Sequence, residues 1–112
     1  MFRIIQWFKD LWRGYPVFGS AARSPQWERV RKEWLKSHPQ CAVTGDTKGC
    51  EVHHKKPFHL HPELELDPSN FITLRRDMHL LYGHLMNWSA FNDSVEEDTK
   101  LWYSKIQNRK VA

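Results

Sequence analysis

Apolar residues recur at helical spacing at the start of the chain, with charged residues between them. The apolar positions are Phe2, Ile4, Ile5, Trp7, Phe8, Leu11 and Trp12. This pattern predicts a short amphipathic helix that ends before Gly14 and Pro16. Its apolar face either packs on the core of the domain or binds a membrane surface or a partner. Residues 14–23 then form a connector.

A second helix is predicted to begin near Ser24, which can cap the N-terminus, with Pro25 in the first helical position. Its apolar face carries Trp27, Val30, Trp34 and Leu35. The basic residues of the other faces are Arg29, Arg31, Lys32 and Lys36. They form either a solvated surface or a surface that contacts phosphate.

Two segments with the composition of strands follow, at residues 50–58 and 71–75. A loop that contains two prolines joins them over residues 59–70. Asp77 can then cap a helix over about residues 78–88. The pattern therefore predicts a strand, a loop, a second strand and a helix, in that order.

A last helix is predicted after Asp93 or Ser94, either of which can cap it. Its inward-facing residues are predicted to be Val95, Leu101, Trp102 and Ile106. Helices and strands in this order predict a single α+β domain. It divides into an N-terminal helix with its connector, a core and a C-terminal helix, over residues 1–23, 24–92 and 93–112.

The chain has 112 residues and carries 17 Lys and Arg against 13 Asp and Glu, a formal net charge of +4. This basic balance favours polyanionic partners. Two cysteines are too few for the disulfide framework of a small secreted protein, and no apolar run reaches the roughly 18 residues of a membrane span. We expect a cytoplasmic protein without a membrane partner. Seven His and six Trp stand out in this composition.

Four of the histidines lie beside the two predicted strands, at His53, His54, His79 and His84. Adjacent residues of a strand point to opposite faces, so His53 and His54 have different tasks. One can bind a metal while the other faces a substrate. His79 can return to His53 if the strands pair as a hairpin and the next helix folds across them. This arrangement predicts a metal pocket with vacant positions, as a catalytic metal requires.

These residues resemble the HNH endonucleases, whose ββα-metal (His-Me finger) motif has a His in the first strand, an Asn in the loop and a His at the helix start. The resemblance covers residues 41 to about 84. The run Lys55-Lys56-Pro57 after the double His, and the nine-residue step from Asn70 to His79, are most similar to the colicin-type branch. The resemblance implies a two-stranded antiparallel hairpin plus a helix. Two N-terminal helices and one C-terminal helix would pack around this core.

The resemblance also implies a role for each residue. His54 becomes the general base that activates water, while His53 and His79 bind one divalent metal ion: Mg²⁺, Mn²⁺, Ni²⁺ or Zn²⁺. Asn70 holds the loop so that His54 keeps its orientation, or contacts the metal itself. Asp67 is suited to the role of a hydrogen-bond acceptor behind the site, where it would fix the loop or the orientation of a histidine. A histidine with the ordinary pKa of about 6.5 is largely neutral at pH 7 and can act as a base there.

His84 departs from the colicin-type pattern, in which a further His follows the helix-start His by four residues. Here Gly83 occupies that position and His84 comes one residue later. On a regular α-helix, five residues turn the side chain about 140° away from that of His79. We therefore expect His84 to join the metal ligands only if the helix is distorted near Gly83. Otherwise His84 contacts phosphate or solvent.

The cysteines depart from other HNH domains, many of which hold a structural zinc with two Cys-x-x-Cys pairs. Thr44 stands where the partner of Cys41 should be, and Arg75 and Met78 stand at the second pair. We expect no structural zinc with four Cys ligands. Cys41 and Cys50 are then either small buried residues or one weak metal knuckle. The core that replaces this zinc is predicted to include Trp27, Trp34, Trp88 and Trp102.

Basic residues flank the predicted site on both strands, and the leading contacts to the DNA backbone are Lys55, Lys56, Arg75 and Arg76. For each of them the alternative is a solvated surface residue. His59 and His61 in the loop are either exposed or an auxiliary metal or phosphate contact.

The resemblance implies a metal-dependent DNA endonuclease that nicks or cuts the duplex and leaves a 5′-phosphate and a 3′-hydroxyl. No second recognition module is visible, so we expect double-stranded DNA to be bound with low sequence specificity. By analogy with phage HNH proteins of this size, its partners would be DNA-packaging or other DNA-processing proteins. The alternative is a degenerate HNH-fold module that binds DNA without turnover, or a subunit of a phage DNA-processing complex. A metal-binding protein unrelated to nucleic acids is a third class, against which the paired basic residues argue.

Overall fold

The computed structural model describes residues 23–111, with side chains as far as Arg109. The predicted first helix and its connector, apart from Arg23, lie outside the described residues. The helices are α1 (Trp27–Ser37), α2 (Arg76–Met78), which continues as a π-helical segment (His79–Gly83), and α3 (Val95–Val111). The strands are β1 (Cys50–His54) and β2 (Phe71–Arg75), with short 3₁₀ turns at Pro62–Leu64 and Pro68–Asn70 between them. The predicted α+β class is confirmed.

Helix α1 begins later than the sequence predicts. Pro25 lies in a turn, in which the Trp27 N–H donates to the Ser24 carbonyl at 3.0 Å. The Ser24 hydroxyl accepts from the Gln26 N–H at 3.1 Å, so it closes this turn and does not cap the helix. The Ser24 N–H donates to the Glu65 carboxylate at 3.1 Å. This contact with a distant loop residue holds Ser24 outside the helix.

Strands β1 and β2 pair in antiparallel register, with Cys50 opposite Arg75 and His54 opposite Phe71. Strand β2 has the predicted bounds, but β1 ends at His54 and does not extend to residue 58. The reason is that Asn70, which precedes β2, lies in a 3₁₀ turn, so the pairing ends after one further bond, from the Lys55 N–H to the Asn70 carbonyl.

The helix after β2 differs most from its prediction. It begins at Arg76, changes to π-helical geometry at His79 and ends at Gly83, well short of residue 88. Asp77 is not at the N-cap, which Arg75 occupies; it is the second residue of the helix, and its carboxylate pairs with the Arg75 guanidinium at 2.7 Å. Directly after His84 the backbone is left-handed at two non-glycine residues, Leu85 (φ 54°) and Met86 (φ 67°).

A small core lies between the hairpin and the start of α3, and its buried residues are Cys41, Val43, Leu74 and Val95. Helix α3 contributes Val95 and Thr99, which are 2% and 1% exposed. The prediction that Leu101 and Trp102 face inward is wrong, since they are 54% and 45% exposed. Val95 and Ile106 do pack at this core, so two of the four residues predicted for the inward face of α3 lie there.

The four tryptophans of the described residues divide into two pairs. Trp27 and Trp34 pack edge-on against Phe71, with ring centroids 5.6 Å and 5.4 Å away. Trp88 and Trp102 are 47% and 45% exposed, so the prediction that all four are core residues is wrong for these two.

Cys41 is buried and Cys50 is half-buried, and both are free thiols. Cys50 Sγ donates to the Asp46 carbonyl at 3.3 Å. Among residues 23–111, no helix combines the length and the apolar character needed to cross a membrane.

Candidate metal centre

Three histidines converge where the π-helical segment crosses β1. His53 comes from the strand, His79 begins the π-helical segment and His84 follows directly after it. One ring nitrogen from each lies within 4.8 Å of those of the other two. Nε2 of His79 and Nε2 of His84 are 3.2 Å apart. The ring centroid of His53 is 5.0 Å from that of His79 and 4.9 Å from that of His84.

The π-helical segment explains how His84 reaches the cluster. On an α-helix, His84 would point about 140° away from His79. A π-helix closes its turn between residues five apart, so it places such residues on one face. The distortion that the sequence requires for His84 therefore exists, and it spans Gly83. The structure places His84 with the two predicted ligands, and metal binding by all three stays a prediction.

Gly83 also makes room for the strand histidine. A Cβ atom at this position would lie 2.8 Å from Nδ1 and 2.9 Å from Cε1 of His53. Both distances are well inside van der Waals contact. Any side chain larger than hydrogen would displace the imidazole, so the close approach of the π-helical segment to β1 requires glycine.

His53 is buried at 1% exposure, and neither of its ring nitrogens has a hydrogen-bond partner among the described residues. A buried polar group without a partner costs about 1–3 kcal/mol. Burial, together with the neighbouring His79 and His84, lowers the pKa of His53 to about 3. The ring is therefore neutral at pH 7, which is the protonation state that binds metal.

The protons of the other two histidines are assigned from their partners. Nδ1–H of His79 donates to the Glu51 carboxylate at 2.9 Å, and Nδ1–H of His84 donates to the Ala90 carbonyl at 2.7 Å. Both partners can only accept, so in each neutral ring Nε2 carries no hydrogen. Burial lowers the pKa of His79, which favours this neutral form. Two unprotonated nitrogens thus face each other beside an unpartnered His53, a donor set that fits a divalent transition metal.

His54 is also buried, at 8% exposure. Its Nε2–H donates to the Glu65 carbonyl at 2.9 Å, which leaves Nδ1 as the nitrogen that can accept a proton. The Trp27 ring packs against it, with centroids 4.6 Å apart. Burial lowers the pKa of His54, so its ring too is neutral at pH 7.

A cleft of about 260 Å³ joins these groups. His53 and His54 both line it, although one belongs to the cluster and the other bonds to the loop. The remaining lining residues are Arg23, Val52, Pro57, Phe58, His59, His79, His84, Trp88 and Ala90. His54 and the potential metal site therefore line the same space.

Asn70 fixes the loop that follows His54. Its side-chain oxygen accepts from the Lys56 N–H at 2.8 Å, and its side-chain nitrogen donates to the Lys56 carbonyl at 3.0 Å. Its backbone carbonyl accepts from the Lys55 N–H at 2.8 Å. With both amide atoms bound to backbone, Asn70 is placed to hold the loop and not to bind the metal.

Asp67 acts on the same loop. Its carboxylate accepts from the Ser69 N–H at 3.0 Å and from the Ser69 hydroxyl at 2.9 Å. These bonds cap the 3₁₀ turn that carries Asn70. Asp67 has no hydrogen bond to a histidine within residues 23–111, where Glu51 takes that position behind His79.

Three of the four cations predicted to contact DNA are bound to nearby carboxylates. Nζ of Lys55 lies 3.3 Å from the Glu96 carboxylate, beside a separate groove of about 530 Å³ between α1 and α3. Arg76 lies 3.0 Å from the Glu51 carboxylate and is stacked 5.0 Å from the Trp88 ring centroid. Lys55 therefore faces away from the cleft, and Arg76 supports the carboxylate that orients His79, a predicted metal ligand.

Arg75 is the most heavily paired of the four. It contacts Asp77 at 2.7 Å and Asp46 at 3.0 Å, and hydrogen bonds to these carboxylates raise its pKa. Two carboxylates neutralise its charge, which weakens any attraction to phosphate. Lys56 is exposed but is not a lining residue of the cleft.

Sequence reasoning missed Glu51, Glu65 and Arg23. Glu51 stands two residues before His53 and so on the same face of β1, a spacing that could have revealed it. Glu65 and Arg23 lie in irregular segments, and no pattern in the sequence singles them out. Comparison of the chain with protein-family models, with curated proteins and with solved structures finds no match.

Proposed function

We propose that this chain is a metal-dependent endonuclease that hydrolyses phosphodiester bonds of DNA. One divalent ion would be held by the nitrogens of His53, His79 and His84. The observation that carries the proposal is the approach of His79 Nε2 to His84 Nε2, at 3.2 Å, beside the buried and unpartnered His53 in the cleft that also contains His54. A metal centre and a general base in one open cleft are the two elements that hydrolysis of a phosphodiester requires.

His54 serves as the general base. Its Nδ1 accepts a proton from water, while its Nε2–H stays bonded to the Glu65 carbonyl at 2.9 Å. This carbonyl holds the ring in the correct tautomer and stabilises the positive charge that the ring gains. Trp27 packs on the imidazole and limits its rotation. Asn70 supports the same geometry through the backbone that follows His54.

When bound, a divalent ion supplies positive charge for the phosphate oxygens and for the leaving 3′-oxygen. The described cluster offers three imidazoles and no carboxylate. Imidazole nitrogens suit Zn²⁺ and Ni²⁺, whereas Mg²⁺ prefers oxygen ligands. We therefore expect transition metals to support the reaction better than Mg²⁺.

Cleavage of supercoiled plasmid tests the proposal. The purified protein is incubated with Mg²⁺, Mn²⁺, Ni²⁺, Zn²⁺ or a chelator, next to the variants His54→Ala and His61→Ala. His61 is an exposed loop histidine paired with Glu63, so it controls for loss of an imidazole outside the cleft. We expect cleavage by the wild type and by His61→Ala, and a loss of about 100-fold or more in His54→Ala.

Titration calorimetry with Zn²⁺ and Ni²⁺ separates the base from the metal site. His54→Ala should bind metal as the wild type does, whereas His79→Ala should bind it much more weakly. Plasmid that stays intact with every metal would overturn the endonuclease and favour a module that binds DNA without turnover. Cleavage that survives His54→Ala would refute the role of this residue.

A further inference from the structure

Arg23 is the cation among the described residues that line the histidine cleft. Its guanidinium carbon lies 4.5 Å from the ring centroid of Phe58 and 5.2 Å from that of Trp27. Since Trp27 itself packs on His54, Arg23 lies on the His54 side of the cleft. The aromatic rings hold the guanidinium by cation–π contact without using its N–H groups.

Among the described residues, most of the donors of Arg23 have no hydrogen-bond partner. Within residues 23–111 its carboxylate partner is Glu65, with a nitrogen–oxygen distance of 3.7 Å, longer than a hydrogen bond. Glu65 already accepts the Ser24 N–H, at 3.1 Å and 3.2 Å to its two oxygens. An arginine carries five N–H donors in a planar fork that matches phosphate oxygens. The side chain of Arg23 is 47% exposed, so a ligand in the cleft can reach it.

The other basic residues near the site are less suited to this task. Arg75 is neutralised by two carboxylates, and Arg76 is paired with Glu51 behind a predicted metal ligand. Lys55 points to the opposite groove. A phosphodiester in the cleft would therefore lie against the three-histidine cluster and His54, and the described cation within its reach is the guanidinium of Arg23.

We propose that Arg23 binds the non-bridging oxygens of a backbone phosphate on the His54 side of the cleft. This inference rests on the proposed function, because it names the contact that holds the substrate of that same site. In this position the fork of Arg23 would orient the phosphodiester towards Nδ1 of His54. Arg23 would thus set substrate affinity, while the histidines carry out the chemistry.

Binding without turnover tests this proposal directly. Fluorescence anisotropy of a labelled DNA duplex is measured in chelator over a series of salt concentrations, for the wild type, Arg23→Gln, Arg23→Lys and Arg29→Gln. Arg29 is the matched control, since it is an exposed arginine of α1 paired with Glu33 at 3.3 Å. We expect Arg23→Gln to bind about tenfold more weakly and to lower the salt slope by about 1.

Arg23→Lys should keep the salt slope, because it keeps the charge, but lose affinity with the planar fork. Arg29→Gln should match the wild type. Calorimetry with Zn²⁺ should give unchanged metal affinity in Arg23→Gln, which shows that the cluster is intact. An unchanged affinity and slope in Arg23→Gln, or no DNA binding by the wild type, would overturn the proposal. Failure of plasmid cleavage alone would refute the proposed hydrolysis and leave this DNA contact standing.

Discussion

The contact between Gly83 and His53 makes the candidate metal centre sensitive to one methyl group. In Gly83→Ala the new Cβ atom would start 2.8 Å from Nδ1, 2.9 Å from Cε1 and 3.2 Å from Cγ of the His53 ring. A normal contact needs about 3.4–4 Å. The imidazole cannot swing into solvent because the side chain is 1% exposed. Either the ring or the π-helical segment must therefore move by roughly half an ångström or more.

Two opposing effects determine how much Gly83→Ala changes the free energy of unfolding. Overpacking of a buried contact costs about 1–3 kcal/mol, whereas alanine in place of glycine gains up to about 1 kcal/mol in a helix. We expect the free energy of unfolding of the metal-free protein to fall by about 1 kcal/mol. The loss in metal binding should be larger, because displacement of a ligand ring by a fraction of an ångström spoils the coordination geometry. A 10- to 100-fold loss of affinity is the range seen when ligand orientation is disturbed.

Urea unfolding in chelator and calorimetric titration with Zn²⁺ measure the two quantities separately. Leu81→Ala is the control, since Leu81 lies in the same π-helical segment and is 41% exposed. It should leave metal affinity within about twofold of the wild type. The reasoning fails if Gly83→Ala binds Zn²⁺ as tightly as the wild type, or if Leu81→Ala loses as much affinity.

Other predictions use the same assays. Glu51→Gln should weaken metal binding about tenfold, because the carboxylate that orients His79 loses its charge; unchanged calorimetry would contradict this. Asn70→Ala removes the two hydrogen bonds to the Lys56 backbone, so unfolding should become easier by about 1–3 kcal/mol and plasmid cleavage should slow while metal affinity holds. Leu74→Ala, at a core position with 0% exposure, should cost about 2–5 kcal/mol in urea unfolding. Zn²⁺ at about 100 times its dissociation constant should stabilise the protein by about 2.7 kcal/mol relative to its metal-free form. The absence of a thermal shift would argue that His53 binds no metal.

Much of the hairpin could be predicted from the sequence, because its signals are local. β2 has the predicted bounds, since turn residues precede it and β-forming residues fill it. The end of β1 could not be found in this way, because it depends on the turn that Asn70 adopts far along the chain. The inward face of α3 could be predicted only in part. Val95 and Ile106 pack at the core, whereas Leu101 and Trp102, which have the composition of core residues, are exposed.

The histidines of the candidate site could be predicted from their spacing in the sequence. The ion pairs of the charged residues around them could not. Arg75 and Arg76 stand beside the site in sequence, yet ion pairs with residues 46, 51 and 77 occupy both of them. Arg23, which does line the cleft, lies well before the histidine motif. Ion pairing and stacking are set by tertiary contacts, so position in the chain is a poor guide to which cation meets a ligand.

The π-helical segment also bears on how such sites can be recognised in other sequences. A pattern that requires two histidines four residues apart assumes an α-helical pitch, and it would pass over His79 and His84. On a π-helix, whose hydrogen bonds join residues five apart, a spacing of five has the same effect as a spacing of four on an α-helix. Here the residue in the fourth place is Gly83, whose missing side chain lets the widened turn approach β1. Two histidines five residues apart, with glycine directly before the second, can therefore place their ring nitrogens together on a π-helical segment, as two histidines four apart do on an α-helix.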